Sequence, residues 1–410
     1  MGELMAGVAL PLDLSSSEFH QRKYEWYPQL LESHPVCTGK VSLMKVSLVS
    51  RYDDCRLVLA DSRFVRNRGL ARGRGSSPFP VPLPKSVAAL ATGMIIRDDP
   101  EHRRLRSLVN QGFTGRAISK LRSRIEEIVQ ERLLQLRRQQ GPVDLLESYA
   151  LPIPRQVIAE MVGVTDEEGA QFTRAVRTLT QGLSGLGLVK TLLWDMRQTH
   201  RFIRDLVEKK RLHPSEDILS ELLVAEEDGD RLSEDELHSM VFLLVVAGFE
   251  TTLHLIGNAV HTLIENPNSI SRLQAEPTLW SSAIQEVVRF RGPIHGTKFQ
   301  YPTEDVTVEG VVLRRGKPVM PLLGAANLDP RVFNQPDVFQ IDRTPNHHLG
   351  FGFGEHFCLG RQLALAEAET AVKALFAEFP NLHLAVKPSE LEHSRMPGWH
   401  RLERLPIHLS

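Results

Sequence analysis

The sequence predicts a mainly α fold with small β-sheets, and three observations carry that prediction. Apolar residues recur at helical spacing from His102 to Ile264, with breaks near Pro142 and Pro214. Within that region Met240 to Phe249 is apolar on every face, the mark of an interior helix, and is too short to span a membrane. Strand patterns are confined to short stretches before Tyr52 and after Pro293.

In chain order, Met1 to Leu14 has neither a basic leader nor a long apolar run, so no signal peptide and no membrane anchor are expected. Val41, Leu43 and Lys45, then Val46 and Leu48, alternate as strands do, and Tyr52 to Ala60 begins a helix. Arg66 to Thr92 is rich in Gly, Pro, Ser and Arg and too long for a plain connector, so it reads as a functional loop. Ser233 and Glu236 form a capping-box pair that starts the apolar helix. Val306-Thr-Val308-Glu-Gly-Val311-Val-Leu313 reads as strands, Gly324 to Asn327 as a short helix, Arg361 to Phe379 as a last helix and Leu405 to Leu409 as terminal strand. No Gly/Ser-rich linker, internal repeat or low-complexity block divides the 410 residues, so residues 1–410 are expected to form one domain.

Composition excludes some classes. With 49 basic against 50 acidic residues the formal net charge is −1, and nothing in that balance asks for nucleic acid or an anionic membrane. The 42% of hydrophobic residues is ample for a large core. The cysteines, Cys37, Cys55 and Cys358, are odd in number and sparse, which argues against a disulfide framework and for a reducing, cytoplasmic setting.

The richest chemistry lies at Phe351-Gly-Phe-Gly354-Glu-His356-Phe-Cys358-Leu-Gly360, directly before the last helix. A metal-binding thiolate must be stabilised as an anion, and a helix opening just after Cys358 aims unpaired N–H groups and the positive end of its dipole at the sulfur. Gly360 leaves those amides unblocked, Gly352 and Gly354 let the loop lie flat against a planar cofactor, and Phe351 screens the sulfur from water. Alone, Cys358 would read as a small buried hydrophobe. The glycines, the aromatic and the helix together favour a thiolate ligand to haem iron. The segment resembles the haem-ligand loop of the cytochrome P450 superfamily, Phe-x-x-Gly-x-x-x-Cys-x-Gly, at every fixed position. The resemblance covers nearly the whole chain and is to the soluble bacterial type. It implies that family's fold, with haem b between the central buried helix and the cysteine loop, and Cys358 as axial ligand.

Glu250-Thr251-Thr252 puts a carboxylate and hydroxyls into the buried helix, where an unpaired polar group is costly. Thr251 has two readings, a bond back to the carbonyl of Ala247 or a functional hydroxyl. Ala247 and Gly248 are small enough to let a diatomic ligand approach. Ala-Gly-Phe-Glu-Thr-Thr resembles the family's oxygen-binding helix, which implies that Thr251 donates to the activated oxygen and Glu250 passes protons inward. Leu243, Leu244 and Met240 share the Thr251 face with Ala247 as candidate pocket walls, or as plain core.

Glu286 and Arg289, one helical turn apart, resemble the family's structural Glu-x-x-Arg pair. The customary arginine of the later segment is missing from Pro336-Asp-Val338-Phe339, leaving Arg343 as the candidate third partner. Haem propionates call for His and Arg donors. By the same resemblance these are His102 and Arg106 on one helix face, and His356. A fourth donor is usually an arginine where this chain has Gln300, with Lys298 on the same strand face.

The resemblance therefore implies a haem-thiolate monooxygenase. Its substrate is a lipophilic small molecule, for which Ile294, His295, Met396, the loop from Arg66 to Thr92 and the Gln181 to Leu192 region are expected pocket walls. The chain has no nucleotide-binding fingerprint, so electrons would come from a ferredoxin or flavodoxin and its NAD(P)H-dependent reductase, docking near Cys358 at Arg103, Arg104 and Arg361. A peroxygenase of the same fold and a non-catalytic haem-binding sensor are the alternatives, and a cysteine hydrolase is a poorer third.

Overall fold

The computed structural model describes residues 8–73, 90, 93–111, 115–165, 168–169, 172, 196–227 and 229–409. Helices dominate. In chain order they include α1 (Ser17–Ser33), α2 (Tyr52–Ala60), α3 (Glu101–Asn110), α4 (Gly115–Leu136), α5 (Pro152–Met161), α6 (Met196–Leu212), α7 (Glu234–Glu265), α8 (Trp280–Arg291) and α9 (Arg361–Glu378). The strands that matter for the site are β1 (Val36–Val41), β2 (Met44–Val49), β3 (Phe64–Val65), β4 (Tyr301–Pro302) and β5 (Val319–Pro321).

The apolar run lies on α7, which begins where Ser233 and Glu236 cap each other: the Glu236 carboxylate accepts from the Ser233 N–H at 2.8 Å and the Ser233 hydroxyl accepts from the Glu236 N–H at 3.4 Å. The helix is long and apolar enough to cross a membrane, but it packs against α5, α6, α8 and α9, and residues such as Leu255, Ile256, Ala259 and Val260 are buried all round its axis. It is the core helix of this fold. Because α9 leans on both α4 and α7, the loop that precedes α9 is held against the core.

The small sheets tie distant segments together. β1 and β2 form an antiparallel pair in register Val36 with Val49, and β5 joins β2 in parallel, Val319 opposite Ser47. Leu12–Asp13 completes that sheet on the far side of β1. β3 and β4 pair antiparallel, Phe64 with Pro302 and Val65 with Tyr301, and Thr303 N–H continues the ladder to the Arg63 carbonyl at 2.8 Å. The terminal strand Pro406–His408 pairs with both His383–Leu384 and Val143–Asp144, which brings the C-terminal segment back over α7.

Candidate active site

The cysteine loop is a tight backbone structure. Cys358 N–H donates to the Phe351 carbonyl at 2.9 Å, Gly352 N–H to Leu349 at 2.8 Å, and Phe357 N–H to Gly354 at 3.1 Å. Gly354 has φ +72°, and a Cβ there would sit 2.5 Å from the Leu59 carbonyl of α2, so no other residue fits without moving backbone. Arg106 of α3 donates to the Phe357 carbonyl at 2.9 Å, one residue before the sulfur. Burial pushes the Cys358 thiol up, while the Gly360 backbone N–H, Arg106 and Arg361 draw it part of the way back. Cys37 and Cys55 have no positive charge beside them: burial lifts the first to about 11 and the second well above the usual range despite a backbone N–H from Leu322, and the Cys55 thiol donates to the Val49 carbonyl at 3.2 Å. A thiolate at Cys358 needs one more positive partner, which a metal ion facing the sulfur supplies.

On one side of the loop the His102 and His356 rings lie 4.2 Å apart between centroids. The Nε2 of each is buried and has no hydrogen-bond partner. Burial lowers the pKa of His102 and takes His356 to about 2, with the Arg66 charge second in the latter case, so both rings stand neutral and can pack together. Gln300 is buried, exchanging backbone hydrogen bonds with Val319 at 2.8 Å in both directions. Solvent reaches Lys298, yet protein packed round its ammonium pushes its pKa down, with Arg66 as the second cause. A side chain facing a concave surface has both properties.

Along its middle, α7 has a partly open face. Ala247 is exposed and Leu243 and Thr251 half-buried, although the same helix is buried before and after. Leu244 is buried in the core, at the edge of this face. Thr251 Oγ1 donates to the Ala247 carbonyl at 2.7 Å and Thr252 Oγ1 to Gly248 at 2.9 Å. Gly248 faces away from the open side: a Cβ there would run into Ile158 Cδ1 of α5, so its smallness serves helix packing. Glu250 is buried and ion-paired to Arg401 of the C-terminal segment. Burial raises its pKa and Arg401 lowers it, the first effect winning. One turn on, buried His254 is held neutral, its pKa lowered to about 3 by burial and then by Arg401. The sequence does not reveal Arg401 as the partner of Glu250, since it lies 151 residues further along the chain.

Beneath the site Glu286 and Arg289 form a two-bond pair, Nε to Oε2 at 2.8 Å and Nη2 to Oε1 at 2.7 Å, with both side chains at 0% exposure. Arg343 takes the third place, its Nε reaching both oxygens of Glu286 at 3.0 and 3.1 Å.

Ile294 is half-buried in a bridge with Trp399, and Met396 is half-buried just before that bridge. His295 does not share the open side. Neighbours on an extended segment point opposite ways, and its ring packs on Gly324, accepts or donates with Tyr27 Oη at 2.9 Å and stacks on His400. Of the loop from Arg66 to Thr92 only residues 66–73 and 90 are described, and the Gln181 to Leu192 region lies outside the described residues. Arg104, expected at a docking surface, is instead paired with Asp230 at 3.0 Å and with Glu236.

A sequence model described as Cytochrome P450 matches residues 35–396. The chain belongs to the cytochrome P450 family. The polyketide biosynthesis cytochrome P450 PksS of Bacillus subtilis (strain 168) is 34% identical over 400 residues, covering 96% of this chain and 97% of that protein. The solved PksS structure aligns with a TM-score of 0.89, covering 97% of this chain and 99% of the other at 34% identity. Vitamin D(3) 25-hydroxylase of Pseudonocardia autotrophica is 37% identical over 398 residues, 96% of each chain, and mycinamicin IV hydroxylase/epoxidase of Micromonospora griseorubida is 36% identical, covering 90% of this chain and 91% of that one. This cytochrome P450 is a monooxygenase whose cofactor is haem b with a cysteine thiolate ligand. The residues present fit that group: two buried imidazole nitrogens have no hydrogen-bond partner, and the Cys358 loop offers a sulfur beside a helix N-terminus.

Proposed function

We propose that this cytochrome P450 inserts one oxygen atom from O2 into a lipophilic small molecule of secondary metabolism, by hydroxylation or epoxidation, in the cytoplasm. Cys358 is the thiolate ligand, and electrons come from a separate ferredoxin or flavodoxin with its NAD(P)H-dependent reductase. Bound haem supplies oxygen activation, which thiolate donation favours.

The chain's own residues then divide the work. His102, His356 and Lys298 would hold the propionates, while Arg106 braces the loop through the Phe357 carbonyl. Thr251, freed from its bond to Ala247, would offer its hydroxyl proton on the open face of α7, and Glu250, freed from Arg401, would carry protons towards it. Leu243, Leu244, Ala247, Ile294 and Met396 form apolar walls that exclude water. Relatives named for a polyketide pathway, for vitamin D3 and for mycinamicin IV support a bulky lipophilic substrate. On the outer side of the cysteine loop, Phe357 is 38% exposed and the Arg103 side chain 81% exposed, which suits a small acidic electron donor, although Arg103 also pairs with Asp99 at 2.5 Å.

The observation that carries this reading is the Glu250 and Thr251 pair, a buried carboxylate and a half-buried hydroxyl at the turn of α7 where Ala247 is exposed. Thr251→Ala removes the donor with little change in volume, so haem and substrate still bind. With a substrate found by a spectral binding screen and a surrogate reductase, reductant consumption should continue while product falls and hydrogen peroxide per electron rises. Thr252→Ala should be milder, since it points about 100° away round the helix. Unchanged coupling in Thr251→Ala returns that hydroxyl to bonding its own helix, and full activity from hydrogen peroxide alone would favour a peroxygenase.

A further inference from the structure

The strand pair beside the propionate donors holds an unassigned cation. β3 and β4 run antiparallel with Phe64 opposite Pro302 and Val65 opposite Tyr301. Continued by one residue, that register sets Arg66 across from Gln300. Residues directly opposite in an antiparallel pair project to the same face, with Cβ atoms about 5 Å apart. Gln300 is the position at which the resemblance led one to expect an arginine.

We propose that Arg66 is a propionate-binding residue of this cytochrome P450, the arginine absent from position 300 having its counterpart across the ladder. The backbone at this point is fixed, because the Asp98 carboxylate accepts from Arg66 N–H at 2.6 Å and from Asn67 N–H at 2.9 Å. The Arg66 Nε is buried without a hydrogen-bond partner, as are the Nε2 atoms of His102 and His356. The Arg66 charge acts on His102, His356, Lys298 and Glu355, so the guanidinium lies among the donors of the propionate side. Asp98 and Glu355 balance part of it. A planar guanidinium donates bidentately to a carboxylate, which a glutamine cannot match and a lysine matches only as a point charge. Arg66 is thus the stronger candidate for the missing donor than Lys298 alone.

This inference rests on haem being bound through Cys358, so the reduced carbon monoxide spectrum of the wild-type protein is recorded first; absence of the red-shifted thiolate band overturns that assignment and the Arg66 proposal with it, whereas a band present with unchanged haem loss overturns the Arg66 proposal alone. Haem loss from the ferric holoprotein to excess apomyoglobin is then timed for wild type, Arg66→Ala, Lys298→Ala and the double variant Arg66→Ala/Gln300→Arg. Arg66→Ala should lose haem about tenfold faster or more, as removal of a charge-assisted bond implies. Restoring an arginine at position 300 should bring the rate back towards wild type. Unchanged loss in Arg66→Ala overturns the proposal. So does fast loss that Gln300→Arg fails to slow, because Arg66 would then serve only as counter-ion to Asp98 and Glu355. If Arg66→Ala does not accumulate, the exchange Arg66→Gln/Gln300→Arg applies the same criterion, near-wild-type retention being required.

Discussion

Arg401→Met separates the charge of Glu250 from its position. The pair joins a carboxylate on α7 to an arginine of the C-terminal segment, with side-chain exposures of 11% and 17%. Removing the arginine leaves a buried carboxylate without a partner, a change that costs about 3–5 kcal/mol. The carboxyl can escape by taking up a proton, and that sets a ceiling. Its ordinary pKa is 4.5, so holding it neutral at pH 7.5 costs three units at 1.36 kcal/mol each, about 4 kcal/mol. At pH 5.5 the ceiling is about 1.4 kcal/mol, and near pH 4.5 it vanishes.

The sign follows from the direction of the shift. Burial already raises the folded pKa of Glu250, and losing Arg401 raises it further. A carboxyl with a raised folded pKa stabilises the fold below its unfolded value and loses that contribution as pH rises through the folded one. Arg401→Met should therefore destabilise most at neutral pH and progressively less on acidification. His254 faces the same arginine, but burial keeps it neutral throughout this window. The assay is equilibrium denaturation of haem-loaded protein at pH 7.5 and 5.5, with Arg401→Met/Glu250→Gln beside it. The double variant should recover most of the loss and lack the added pH dependence. An equal loss at both pH values would refute the reasoning and point to lost packing against Trp399, over which the guanidinium sits at 5.7 Å.

Other outcomes follow from the same geometry. Cys358→Ser should abolish the red-shifted carbon monoxide band of the reduced protein, whereas Cys37→Ser should keep it. Gly354→Ala should destabilise by more than about 2 kcal/mol and impair haem incorporation, since it combines a positive φ with a backbone collision at Leu59; a melting temperature equal to wild type would count against it. Arg343→Ala should cost about 3 kcal/mol in denaturation, far more than the same change at Arg314, whose side chain is 67% exposed.

The parts of the site legible in the sequence are those that lie close together along the chain. The cysteine loop is one run of ten residues whose glycines announce its backbone, and α7 declares itself by a capping box and an apolar stretch that no surface helix would carry. Glu286 and Arg289 are a single turn apart. What stayed hidden depends on chain return. Arg401 reaches Glu250 only because the terminal strand pairs with Val143–Asp144 and His383–Leu384, and two-residue strands leave almost no periodic signal. His295 was misplaced for a different reason: the segment after Pro293 is extended, and pattern alone does not say which of two neighbours faces the site. Gly248 is expected from the sequence to let a diatomic ligand approach, whereas its constraint comes from Ile158 on another helix.

The three long-range arginines have one physical basis. A buried carboxylate needs donors at a point in space, and the chain position that supplies them is free to change if another backbone passes nearby. Glu286 keeps its second cation although the usual segment offers none, because Arg343 approaches the same oxygens from a few residues further on. Glu250 receives Arg401 from a terminal hairpin. The Arg66 proposed above beside the β3 and β4 ladder would follow the same rule, since an antiparallel register continued by one residue sets it across from Gln300, and a charge can pass from one strand to the other without altering either backbone. A glutamine at position 300 and an arginine at position 66 then belong to one solution, and each alone would misstate the charge that surrounds the cofactor.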